Sequence, residues 1–338
     1  MAYRYGRLNP TATQVPPVVS ELEALFAAIP DEALLTTLQG PVRRGPKGYD
    51  PKTLWRCYVA FYYLGLPSVS DLVRTLHDNP YIAKACGVDG DVPSQPTFSR
   101  FMTRLAKLAN RKGLRSVMWT LADTLQRTLP DFGKSVSVDS TDIKGWSNGA
   151  KHYNGKSSDP DAGWCVKTNT EGNKKFVWGY KAHILTDTTY ELPIVVDVTA
   201  GNVHDSMRAT PVLRQAKYAI NSFFPKYFIA DSAYSSDKIR KHIHRNYWPH
   251  GRCEAIIDPN RSHTKAVART MKTPEWKAIY NRRTASERVN SRLKACRRLN
   301  EVRTRGRFRV YVHVLLSVMV MQAQALATGC RQSVRKVA

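Results

Sequence analysis

Apolar residues recur at helical spacing through roughly the first 130 positions of this chain, and the period then changes to that of strands. Leu22, Leu25 and Phe26 share one helical face. Leu54, Tyr58, Phe61 and Tyr62 share another, after Asp50-Pro51, a residue pair suited to a helix start. The pattern predicts a third helix over Val69–Ala85, ended near Gly87 and Gly90, and a fourth opened by Ser94 and Pro96. The fourth has an apolar side of Phe98, Phe101, Met102, Leu105 and Leu108. Its other side carries Thr97, Arg100, Arg104 and Lys107. A helix, a short turn and a helix with a polar-basic outer face is how a helix-turn-helix reads, with Arg100 and Arg104 placed to contact DNA. An amphipathic helix of an ordinary bundle gives the same pattern.

From about residue 131 the sequence alternates. Lys134–Asp139, Phe176–Asp187 and Leu192–Val198 read as strands, the last two joined by a turn at Thr188–Glu191. Asp205–Ile220 reads as a helix, Tyr227–Asp231 as a buried strand, Ser236–Tyr247 as a helix and Ala255–Ile257 as a fifth strand. Helices are expected at about 274–297 and 308–327. Three strands, helix, strand, helix, strand, helix is the order of the ribonuclease H fold. The expected class is therefore α/β: a ribonuclease H-like catalytic domain at 131–328, with a five-stranded mixed sheet. It follows an all-helical DNA-binding or dimerisation domain at 1–130 and precedes a basic tail at 329–338.

Charge narrows the function. The 338 residues carry 52 Lys+Arg against 27 Asp+Glu, a net +25. From Arg261 onward there are 19 basic and 3 acidic residues, so the excess is clustered. Clustering favours a polyanion-binding surface over general solubility, and nucleic acid is the commonest polyanion. Arg4 and Arg7 precede no apolar run, so no signal peptide is expected. The most apolar stretch, Val310–Met321, is shorter than the roughly 20 residues of a membrane span and reads as a core helix. Six scattered cysteines show no zinc spacing and read as small buried residues of a reducing compartment. The location expected is the cytoplasm, at the nucleoid, with no membrane partner.

Two acids stand at the C-terminal ends of apolar strands, Asp139 on the first and Asp231 on the fourth. Strand ends are where sites form in α/β sheets. The third acid, Glu287, lies in a basic helix. At about 100° per residue, Tyr280, Arg283, Glu287 and Lys294 fall within roughly 60° of arc. That face offers one carboxylate, two cations and a phenol, fit to hold a phosphodiester beside a metal. A plain i,i+4 ion pair between Arg283 and Glu287 is the blander reading. Phosphodiester cleavage needs an activated water and a stabilised leaving oxygen, and two Mg²⁺ ions about 4 Å apart serve both. Mg²⁺ prefers carboxylate oxygen. Without metal, three clustered acids repel, so at least one should be protonated or poorly ordered.

The segment Tyr280-x2-Arg283-x3-Glu287-x6-Lys294 resembles the Tyr-Arg-Glu-Lys signature of bacterial insertion-sequence DDE transposases of the four and five groups. Asp139-Ser-Thr141, Asp231-Ser-Ala-Tyr234, Asn202-Val-His-Asp205 and Ser158-Asp-Pro-Asp-Ala162 resemble further segments of that family. The resemblance spans about residues 50–325. It implies a ribonuclease H-like domain that cleaves DNA and transfers strands, with terminal inverted repeats and target DNA as substrates. It also implies two Mg²⁺ ions, with Mn²⁺ able to substitute, and a homodimer on DNA. It gives metal-ligand roles to Asp139, Asp231 and Glu287, and contacts to phosphate or the element's ends to Tyr280, Arg283 and Lys294. Only 55 residues separate Asp231 from Glu287, too few for the large β insertion that some members use in handling a hairpin. His204 and Asp205 admit two readings: support behind the metals, or, favoured here, an Asp N-cap for the following helix. A nuclease that cuts without joining, or a DNA-binding regulator with an inactive catalytic domain, are the competing functions; the presence of all three acids speaks against the regulator.

Overall fold

The computed structural model describes residues 15–40, 48–109, 112–149, 157–168, 171–251, 253–259 and 273–329. Seven helices come first: α1 Pro17–Ala28, α2 Glu32–Gln39, α3 Pro51–Tyr63, α4 Val69–Asp78, α5 Pro80–Ala85, α6 Gln95–Ala109 and α7 Lys112–Thr128. Local chemistry explains their starts. Asp50 accepts from the Lys52 amide ahead of Pro51, and Ser68 accepts from the Asp71 amide, so each satisfies an amide left over by the first turn. The single helix expected over Val69–Ala85 is two, because Pro80 has no amide to continue α4 and instead opens α5.

The sheet follows: β1 Ser135–Lys144, β2 Gly163–Thr168, β3 Lys174–Asp187, β4 Leu192–Ala200, α8 Ser206–Ala219, β5 Tyr227–Ala230, α9 Asp237–Gly251 and β6 Glu254–Ile257. Helices α10 Pro274–Asn281, α11 Thr284–Cys296 and α12 Arg307–Ala327 complete the described chain. The core order is β4-β3-β1-β5-β6, with β3 antiparallel to β1 and β4, and β5 parallel to β1 and β6. This is the ribonuclease H arrangement expected from the sequence, with one addition. A sixth strand, β2, pairs with the first half of β3, beyond the end of β4. Where β3 exchanges partners, Gly179 has φ +150°, and a Cβ there would lie 2.1 Å from the Ile143 carbonyl. Only glycine lets the strands approach so closely.

Helix α12 joins the two halves. It packs against α1, α3, α6 and α7 on one side and β4 on the other. The sequence boundary near 130 thus marks where strands begin, while packing runs across it. Among the described residues α12 alone is long and apolar enough to cross a membrane, yet it lies buried inside the protein. Gln322 donates to the Pro193 and Ile194 carbonyls from within this core. The Ser158–Ala162 loop holds the start of the same helix: Asp159 accepts from Tyr180 Oη at 2.6 Å and from the Gly306 amide at 3.2 Å, and Asp161 accepts from the Arg307 amide. Of the five described cysteines, all free, four are buried and Cys296 is exposed, which corrects the expectation for that one. The basic tail lies outside the described residues from 330 onward, as do Arg4, Arg7 and residues 260–272 of the basic C-terminal stretch.

His313 on α12 is buried and bonds Tyr62 Oη at 2.8 Å, and that burial lowers its pKa from 6.5 to about 4. The folded protein therefore binds this proton later than the unfolded chain does. Its contribution is intact above pH 6.5 and is lost as pH falls toward 4. In urea unfolding, the stability advantage of wild type over His313→Gln should shrink across that window, by at most about 3 kcal/mol. A difference independent of pH between 7 and 4 would refute it.

Candidate active site at the strand ends

Parallel pairing brings the first two acids together. Ser137 of β1 lies opposite Ile229 of β5. Two residues on, the same register puts Asp139 beside Asp231, which directly follows β5. Adjacent strands run about 4.8 Å apart, and paired residues share a face. Both carboxylates therefore leave the sheet on one side. Asp231 turns back onto the chain, its Oδ1 accepting from the Ala233 amide at 3.0 Å and starting a 3-10 turn at Ser232–Tyr234.

Helix α11 crosses the same side, packed on β1 and β3. Ser286 Oγ donates to the Ser137 carbonyl at 3.5 Å, and Asn290 Nδ2 donates to Asp139 Oδ2 at 2.9 Å. Glu287 lies one turn before Asn290, over the same strand end. Its side chain is 53% exposed and pairs with Arg283 at 2.6 Å. The helix expected at 274–297 is broken at Arg282–Arg283, where amides bond three residues back, Arg283 to the Tyr280 carbonyl and Ser286 to that of Arg283. Tightening to three residues per turn stacks i over i+3, so the shared face survives the break: the Arg283 guanidinium lies 5.9 Å from the centre of the Tyr280 ring. Lys294 is partly exposed two turns beyond Glu287.

Electrostatics ties the group together. Burial raises the pKa of Asp231 above its ordinary 3.8; the Ala233 amide and Arg283 oppose this, and Asp205 adds to it. Burial works against the charge on Arg283, but Glu287, Tyr280 and Asp139 hold its pKa above the usual value. One guanidinium thus acts as the counter-charge shared by three carboxylates. Among the described residues no three Asp, Glu, His or Cys side chains converge closely enough to hold one ion as they stand. The donor set nonetheless suits a hard divalent cation: carboxylate oxygens from two adjacent strand ends and a helix, with the buried Asn290 Oδ1 left without a partner beside them.

The expected cap at Asp205 is not what forms. Asp205 occupies the N-cap position of α8, but its side chain makes no cap bond. It pairs instead with Lys181 Nζ at 3.0 Å and stands 4.0 Å from His183 Nδ1. The neighbouring His204 takes the capping part, Nδ1 accepting from the Ser206 amide at 3.3 Å. Burial lowers the His183 pKa to about 4 despite Asp205 and Asp197, so the ring is neutral near pH 7.

In the helical half, Arg100 is exposed and bonds only its neighbour Thr97 among the bonds described. Arg104 donates to the Leu38 carbonyl, capping the last turn of α2. Half of the proposed DNA-reading pair therefore also packs α6 against α2. The sequence reading missed Asn290, Lys181 and β2. Asn290 alone had a local signal, three residues after Glu287 and hence on the same face.

A ribonuclease H-like sheet with acids gathered at its strand ends defines a class of enzymes that act on nucleic-acid phosphodiesters. Residues 131–322 match the family model "Transposase DDE domain", and residues 12–104 match "Transposase domain (DUF772)". The first match spans more than half of the chain, which therefore belongs to the DDE transposase family, metal-dependent enzymes that cleave and transfer DNA strands. The chain is 25% identical over 295 residues to the "Probable transposase for insertion sequence element ISH11" of Halobacterium salinarum, covering 83% of this chain and 80% of that one. The protein of a second strain matches equally. Among solved structures, the piggyBac transposase synaptic complex with hairpin DNA superposes with a TM-score of 0.45 and 10% identity, covering 94% of this chain and 77% of that one.

Proposed function

We propose that this transposase uses Asp139, Asp231 and Glu287 as its three metal-binding carboxylates and positions the DNA end with Tyr280, Arg283 and Lys294. The observation that carries the reading is the strand register that sets Asp139 beside Asp231 beneath a helix tied to Asp139 through Asn290. The ions are two Mg²⁺, replaceable by Mn²⁺, and would supply Lewis acidity at the attacking and leaving oxygens. Every other part is played by the chain. Asn290 fixes the rotamer of Asp139, the Ala233 amide fixes Asp231, and Arg283 and Lys294, which only donate hydrogen bonds, meet phosphate oxygens. Lys181, Asp205 and His183 hold the start of α8 behind the two strand ends. The substrates are the element's terminal inverted repeats and a target duplex, bound by a homodimer in the cytoplasm at the nucleoid. Among the described residues, β5 and α11 are separated by a short turn, α9, β6 and α10.

Strand transfer tests the reading. An end duplex with a free 3′-hydroxyl, incubated with supercoiled plasmid and Mg²⁺, should become covalently joined to it. Hydrolysis without joining would identify a nuclease instead. Binding should also be strongly salt-dependent. A surface that neutralises six or more phosphates loses about a thousandfold in affinity between 50 and 200 mM salt through counterion release. A Kd that barely moves over that range would exclude a phosphate-dominated interface.

A further inference from the structure

The face of the sheet that carries Asp139 continues into an exposed aromatic surface. Asp139 lies opposite Ile184 of β3. Trp178 and Phe176 are an even number of residues from Ile184, so strand alternation puts them on the same face. Their partners on β2 are Trp164 and Val166. The result is a ladder of two cross-strand pairs on an edge hairpin, Trp164–Trp178 with ring centres 5.3 Å apart and Val166–Phe176. Phe176 is 58% exposed and Trp164 is 37% exposed. Trp146, just past β1 and 54% exposed, adds a third open ring.

These rings are built into place. Gly149 lies against the Trp164 indole so closely that a Cβ would come within 2.2 Å of it. Trp178 Nε1 donates to Ser147 Oγ at 3.0 Å. Arg305 Nε donates to the Trp146 carbonyl at 2.8 Å, and the Arg303 guanidinium lies 5.7 Å from the Trp146 ring centre. Both arginines are exposed, on the segment between α11 and α12, and Lys174 and Lys175 are exposed beside Phe176. Open apolar residues scattered singly are ordinary, but a contiguous patch such as these cross-strand pairs marks an interaction site. Open rings flanked by cations match a ligand with π-faces and negative charge, which is unpaired nucleic acid. A second copy of the chain is the poorer match, since its cations would face these.

We propose that Trp146, Trp164 and Phe176, flanked by Arg303 and Arg305, form a stacking platform for unpaired DNA bases. The inference rests on the reading of the acids as the cleavage site. From Ile184 to Trp178 the strand advances about 20 Å. The platform therefore takes bases several positions from the phosphate being cut. Bases unpaired there come either from the element's end or from the target duplex.

The test uses Trp146→Ala, Phe176→Ala and the double variant in the full chain, since both rings are more than half exposed and their loss spares the core. The probe is a single-stranded 12-mer containing 2-aminopurine, read by fluorescence quenching in EDTA, with a fully paired duplex alongside. Each substitution should weaken single-strand binding by about tenfold, and the pair by up to about a hundredfold, with duplex affinity within about twofold of wild type. Equal weakening of both DNAs, or of neither, overturns the platform. So does a DNA-free dimer in sedimentation velocity that Phe176→Ala dissolves, because the face then belongs to a second copy. A bubble placed in the end duplex or in the target duplex names the source by which probe is quenched, and quenching in neither again overturns the proposal. Because metal is absent, this assay is independent of the acids: a misassigned Asp139 shows only in the cleavage of Asp139→Ala.

Discussion

Alanine at Asp139, Asp231 or Glu287 should each reduce metal-dependent cleavage of the element's ends by at least about a thousandfold while leaving DNA affinity nearly unchanged. The magnitude follows from the share of transition-state charge that a metal clamp stabilises, several kcal/mol, at about 1.4 kcal/mol per factor of ten. The separation of rate from affinity follows from position. Each acid repels phosphate, so its removal cannot weaken DNA binding through lost contacts. Asp139 and Asp231 end neighbouring parallel strands, and Glu287 stands over them on α11. The three positions do not share one structural role, so a common loss of cleavage points to a common ion-holding task. Asp231→Ala also removes an acceptor from the Ala233 amide, and Asp139→Ala releases Asn290. For this reason Asp139→Asn and Asp231→Asn belong beside the alanine variants: they keep the hydrogen-bonding shape and remove the charge. Burst-free cleavage in Mg²⁺ and Mn²⁺, with affinity measured on the same DNA, is the measurement. Wild-type rates for Glu287→Ala would remove the third ligand from the assignment.

The core sheet was legible in the sequence because every core strand there is a short β-rich or apolar run bounded by a turn or a helix start. The three proposed acids stand out in the sequence because two end such runs and the third interrupts a basic helix. Other features had no local signature. β2 is short, carries the exposed Trp164 and Val166 where a half-buried strand would carry polar groups, and takes its strand pairing from the distant β3. The break at Arg282–Arg283 has neither glycine nor proline to mark it; it is a local tightening of bonding. Asp205 occupies the place of a cap in sequence, but the buried Lys181 on β3 draws its carboxylate away, a competition visible only once β3 and α8 are packed together. Arg104 likewise reads as an outer-face cation until the end of α2 arrives beneath it.

Arg283→Ala should lower cleavage at limiting DNA by about ten- to hundredfold, recover with added DNA, and require less Mg²⁺ than wild type. The structure gives this residue two partners that cannot be served at once. In the free protein its guanidinium pairs with Glu287 at 2.6 Å, lies beside the Tyr280 ring, and compensates Asp139 and Asp231. A charge-assisted contact from the same group to a phosphate oxygen is worth about 1.5–3 kcal/mol, which is the ten- to hundredfold range, and a defect in positioning yields to mass action. The metal requirement moves the other way. A cation in the middle of three carboxylates repels a divalent ion and occupies an oxygen of Glu287, so removing it leaves the acids more negative and freer to bind. Glu287→Ala has the opposite signature: its defect lies in the chemical step, excess DNA does not rescue it, and its Mg²⁺ requirement rises. Were Arg283 only the i,i+4 partner of Glu287, its loss would cost a few tenths of a kcal/mol of helix stability and leave both titrations where they were. Cleavage measured against DNA at saturating Mg²⁺, then against Mg²⁺ at saturating DNA, separates the two roles. Wild-type curves in both for Arg283→Ala would reduce the shared face to a surface ion pair even with the three acids correctly placed.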